Sequence, residues 1–214
     1  MVLNIPMGAL GKRVVEISNY DSDAWLQKVN NNPNKYQISI LLALIEHVSV
    51  IALTIMLFIV FGPPNNIILG IVWIPFRTGE GLIQIYDEKN YWRLLNIAKK
   101  HSVTSGAEKK SLNDLSRNIL QSIKSRYKLV GFFWAIGTLP FSILLVTYEV
   151  VPLIIGWIGI VASISLGFGN GIDLVKTNYK KRYLKVLLAI GGLGAIVFEV
   201  ILGGWLLFFS HIIP

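Results

Sequence analysis

Five long apolar runs constrain this chain more than any other feature. A run of eighteen or more apolar residues with few charges reads as a helix able to cross a bilayer, whose hydrocarbon core is about 30 Å thick. Such runs occupy residues 38–61, 67–86, 129–148, 151–172 and 184–213. The first is closed by Gly62-Pro63-Pro64-Asn65-Asn66, where a helix is expected to stop. The fourth carries Pro152 in its first turn, where a missing N–H costs nothing. The fifth is several residues too long for a bilayer, so it tilts or projects. No signal peptide is expected, because the first long run begins beyond the usual window of about 15–30 residues.

Composition supports this reading and raises a question. Charged residues make up only 15% of the chain and apolar residues 53%. A soluble domain carries about 25% charged residues, so a soluble globular enzyme and a disordered chain are both excluded. Yet the formal net charge is +8. The distribution of the 20 Lys and Arg answers it. Lys12, Arg13, Lys28 and Lys35 precede the first run, and ten more lie between Lys89 and Lys128. Lys176, Lys180, Lys181, Arg182 and Lys185 mark the link into the fifth run. The 62–66 and 149–150 links carry none, and nothing basic follows the fifth run. Alternate connections are basic or bare, which is the positive-inside pattern. The expected fold is all-α: a multi-pass helical protein of the cell membrane, with five spans, N-terminus inside and C-terminus outside. Six tyrosines (Tyr36, Tyr86, Tyr91, Tyr127, Tyr179, Tyr183) fall near the inner boundary and Tyr148 near the outer one, as interfacial anchors do.

Residues 1–37 form a cytoplasmic segment in which Asp21 or Ser22 is expected to cap a short helix carrying Trp25, Leu26 and Val29. The rest, 38–214, is read as one transmembrane helical domain. Within it, residues 87–128 form a cytoplasmic insert. Ser111-x-x-Asp114 resembles a capping box, and Leu112, Leu115, Ile119 and Ile123 follow at helical spacing. Residues 91–100 are apolar on one side and basic on the other, and 101–106 read as a break. The expected shape is a helical hairpin beside an anionic inner leaflet, which attracts basic residues by about 1 kcal/mol each. Nucleic acid is not an expected partner, since no recognition module is present.

Ionisable groups inside spans are costly and usually face the bundle interior. Here they are Glu46, His47, Arg77, Glu80 and Glu199. Counted from the inner boundary at about 1.5 Å per residue, Glu46, His47 and Arg77 reach similar depths. Glu80 lies one turn from Arg77. A cluster is therefore expected in which Glu46 and Glu80 share Arg77, with His47 nearby. Glu199 lies in a row of small residues, Gly191, Ala195 and Gly203, and a matching row runs through Gly159, Ser163, Gly167 and Gly171. Small rows let helices approach closely, so the fourth and fifth spans are expected to pack together. The charged cluster admits two readings, a structural network or a proton- or ion-coupled site.

Cysteine is absent, which removes disulfides, thiolate metal sites and cysteine nucleophiles. The three histidines, His47, His101 and His211, lie at three depths, and no phosphate loop or paired metal motif occurs. No cofactor, metal or catalytic set is expected.

Residues 76–81, Phe-Arg-Thr-Gly-Glu-Gly, resemble the Arg-x-x-Glu-Gly element of a prokaryotic membrane family known as domain of unknown function 4386. Gly137-Thr138-Leu139-Pro140-Phe141, and the stretch 151–159 in which a proline opens a Trp-Gly-rich span, resemble its other recurring element. The likeness covers residues 38–174. It implies a multi-helix prokaryotic membrane protein, usually with one further span at the start, and no assigned activity. The expected role is a structural or accessory subunit of a membrane complex, with membrane-protein partners or a second copy. The alternative is a small-solute or ion transporter using the intramembrane charges.

Overall fold

In a computed structural model, residues 22–175 and 181–209 are described. They form six helices and, among the described residues, no strand. The helices are α1 (Ser22–Asn31), α2 (Pro33–Asn65), α3 (Ile67–His101), α4 (Gly106–Thr147), α5 (Leu153–Val175) and α6 (Lys181–Phe209). Four of them, α2, α4, α5 and most of α6, are long and apolar enough to cross a membrane. The expected second span lies in α3, which runs on through residue 101 as one helix. Arg77 and Glu80 interrupt its apolar half, and its second half is polar.

The helix ends show how local chemistry acts. Two prolines do not stop α2 where the sequence predicts; it continues through Pro63 and Pro64 to Asn65. Prolines near a helix end remove only donors to the preceding turn, and the Asn65 side-chain amide donates to the Phe61 carbonyl at 2.9 Å. The break is the single residue Asn66. Its carboxamide oxygen accepts from the N–H groups of Ile68 and Leu69 at 3.1 and 3.2 Å, an N-cap for α3. Its amide also donates to the Tyr148 hydroxyl at 3.3 Å, so the two non-basic turns lie at one end of their unit. Similarly, α4 begins at Gly106, five residues before the Ser111 capping box that the sequence suggests. Gly106 has a φ of +64°, a left-handed conformation that glycine adopts without steric cost. From there α4 runs unbroken through the expected third span. Ser22 opens α1 with its hydroxyl bonded to the Asn113 side chain, tying α1 to α4. Asp21 and the end of the expected fifth span beyond residue 209 lie outside the described residues.

The chain divides into two compact units. The first comprises residues up to 48 together with 82–127; the second comprises 49–81 and 128 onward. The first unit has its own apolar core. Leu26 of α1, Leu94 and Leu95 of α3 and Leu120 of α4 are fully buried, and in water each such burial contributes about 1.5–3 kcal/mol. Tyr36 and Tyr91 belong to this core. Their rings stand edge-on in a chain with Trp25, at 5.6 and 6.5 Å between centroids. Tyr86, Tyr127, Tyr148 and Tyr183 are exposed.

In the second unit α5 packs on α6 along small residues. A Cβ on Gly191 would meet the Leu166 backbone nitrogen at 2.7 Å, and one on Gly194 would meet the Ala162 Cβ at 3.0 Å. The seam thus uses Ala162, Ser165 and Leu166 against Gly191, Gly194 and Ala195. It shares only part of the two rows marked by the four-residue spacing. Gly159 lies against Phe198, whereas Gly167 and Gly171 approach Ala135 and Phe132 of α4, and Gly203 meets nothing within 4 Å. At 3.6 residues per turn, each four-residue step rotates about 40° around the axis. A four-residue row therefore drifts from one neighbour to the next.

Candidate functional site: a buried arginine between two carboxylates

Arg77 lies eleven residues beyond Asn66 along α3, about 16 Å at helical rise. That is roughly half the thickness of a hydrocarbon core. Its side chain is buried, and its guanidinium is held on two sides within the second unit. One terminal nitrogen donates to Glu80 Oε2 at 2.6 Å, one turn along the same helix. The other donates to Glu199 Oε1 of α6 at 3.3 Å. The same Glu199 oxygen accepts from the indole N–H of Trp134 on α4 at 2.8 Å. The guanidinium carbon also sits 5.8 Å from the centre of the Trp134 ring, within range of a cation–π attraction. Three helices, α3, α4 and α6, are joined through one cation. Its surroundings leave little space: a Cβ on Gly137 would meet the Arg77 side chain at 2.9 Å.

Glu46 and His47 belong to the first unit. Counted from Asn66, the turn shared by α2 and α3, they lie twenty and nineteen residues back. Arg77 lies only eleven forward. Glu88 lies twenty-two residues forward, within one turn of the count that matches His47. His47 Nε2 is indeed 3.3 Å from Glu88 Oε1, with both side chains buried. Of the five ionisable residues singled out from sequence, the structure brings Arg77, Glu80 and Glu199 together within the second unit and pairs His47 with Glu88 within the first.

Three participants carried no sequence signal of their own. Trp134 lies within an apolar run, and only the need of a buried indole N–H for an acceptor marks it. Glu88 follows the predicted end of its span. Asp87 forms a forked pair with Arg126, at 2.7 Å from Nε and 2.6 Å from the second terminal nitrogen. Arg126 also lies 5.2 Å from the Tyr86 ring centre. Burial raises the Asp87 carboxyl above its ordinary value, and the hydrogen bond and charge of Arg126 pull it back down. Burial, followed by the Glu88 and Asp87 charges, pushes the Tyr91 phenol well above its usual range. Elsewhere in this unit His101 Nε2 sits 2.9 Å from Asp23 of α1. Among the described residues no group of three His, Asp or Glu side chains is placed to hold a metal ion.

An all-helical chain with four membrane-length apolar helices and a charged triad, centred on a buried arginine, that joins three of its helices defines a class: helical membrane-type proteins with an internal ion-pair network. The chain belongs to the family described as "Domain of unknown function (DUF4386)", whose pattern matches residues 1–209. That match extends beyond the 38–174 stretch over which the sequence resemblance was apparent. Neither a curated protein nor a solved structure matches the chain.

Proposed function

We propose that this chain is a non-enzymatic, five-span protein of the cell membrane that serves as a structural or accessory subunit, with Arg77 as the lock of its bundle. The second of the five spans, additional to the four long apolar helices, is the apolar half of α3. The basic hairpin of α3 and α4 lies on the cytoplasmic side beside anionic lipid, and the C-terminus is external. The observation that carries the structural reading is the engagement of the triad. Each terminal nitrogen of Arg77 has a carboxylate, and Glu199 is shared with Trp134. Ion pairs buried in this way resist separation because removing one partner strands a desolvated charge.

One feature supports a second reading, a proton-coupled transporter. Two carboxylates face one guanidinium, so the triad carries excess negative charge when both are ionised. Purification in mild detergent under native conditions separates the readings. A subunit co-migrates with a stoichiometric partner, whereas a transporter migrates alone and acidifies the lumen of reconstituted vesicles under a solute gradient. A clean monomer whose Arg77→Ala variant leaves cell growth unchanged contradicts both.

A further inference from the structure

Between α4 and α5 the second unit carries a groove of about 590 Å³. Ala135, Gly167 and Gly171 form its floor, and Phe132, Ile164 and Phe168 stand at its rim. The floor is open because side chains are missing from it. A Cβ on Gly167 would lie 3.4 Å from that of Ala135, and one on Gly171 would lie 3.3 Å from the Phe132 ring. Along α5 the groove extends from Ser163 to Val175, about 18 Å at helical rise. That is little more than half of a hydrocarbon core, the share of one leaflet. A crossing helix would need a seam of about twenty residues. The length therefore suits a hydrocarbon chain entering from one side.

The entrance is polar. Lys128, one turn before Phe132, places its Nζ 2.7 Å from Asp173 Oδ2, and both side chains are about one quarter exposed. This pair links the two helices that wall the groove, at the end where Val175 closes the lining. It offers a cation and an anion side by side. Phosphate and ammonium groups joined by a two-carbon bridge complement it, the phosphate toward Lys128 and the amine toward Asp173. We propose that the groove holds one acyl chain of an aminophospholipid whose headgroup is read by Lys128 and Asp173. This goes beyond the structural role above and shares with it only the placement of α4 and α5 in a bilayer.

Native mass spectrometry of the full chain tests it. The protein, purified in mild detergent, is offered equal amounts of phosphatidylethanolamine, phosphatidylglycerol and phosphatidylcholine. One phosphatidylethanolamine per chain is expected to be retained with a preference of roughly tenfold, the weight of one charge-assisted hydrogen bond. Ile164→Trp, which lays an indole across the rim, is expected to reduce retention of every lipid while helix content by circular dichroism stays constant. Lys128→Met with Asp173→Asn is expected to abolish the headgroup preference and keep the chain bound. Equal retention of the three headgroups by the unaltered protein overturns the proposal, whether or not the variants fold. So does a change from dimer to monomer in Ile164→Trp, which would assign the groove to a second copy.

Discussion

An arginine buried between helices is tolerated only when its charge is answered nearby. Arg77 meets this with two carboxylates and an indole. The Asp87–Arg126 pair follows a different balance, because its carboxyl is buried enough that desolvation outweighs its cation. The sign of its pH dependence follows. In the unfolded chain an aspartate titrates near 3.9, and the folded value is raised above that. Folded protein therefore holds the extra proton between the two values. The contribution of Asp87 to stability is full below about 3.9 and is lost as the pH rises through the folded value. Arg126→Gln removes the opposing cation and lifts the carboxyl further. The variant is expected to lose more melting temperature between pH 5 and pH 7 than the parent does, as measured by thermal melts at the two values. An equal or smaller loss would show that Arg126 does not hold the carboxyl down.

At the scale of helices, packing is decided by which glycines have a neighbour. Gly191 faces the Leu166 backbone nitrogen, which cannot step aside, whereas adjacent Gly192 has nothing within 4 Å. Gly191→Ala is expected to cost about 1–3 kcal/mol through overpacking. Gly192→Ala is expected to be neutral or to gain up to about 1 kcal/mol from helix propensity. Thermal melts of the two variants check this, and equal effects would contradict the α5–α6 seam. The same pair shows where sequence reading reaches its limit. The existence of the helices, the pairing of α5 with α6 and the family were legible, because apolar length and small residues are local signals. The seam's actual partners were not, since a four-residue row drifts around the axis. The His47–Glu88 pair was not legible either, because Glu88 follows the predicted end of its span. Trp134 was invisible because a tryptophan in an apolar run looks like any other apolar residue until its N–H needs an acceptor.

At the scale of the molecule, the proposed five spans and cytoplasmic hairpin make a sidedness prediction that the chain is well suited to test. It contains no cysteine, so a single introduced thiol reports alone. A membrane-impermeant maleimide is expected to label Thr147→Cys on intact cells and Ser105→Cys only after permeabilisation. The reverse pattern would invert the topology. The central claim concerns Arg77 and Glu199, which join α3 to α6. A double-mutant cycle of Arg77→Met and Glu199→Gln, read from unfolding in detergent, tests it most directly. Each single variant is expected to lose about 3–5 kcal/mol by stranding a buried charge. The double variant is expected to lose clearly less than their sum, by about 0.5–3 kcal/mol of coupling. Losses that add to within about 0.5 kcal/mol would mean that the two residues act independently and that the triad is not the lock of the bundle.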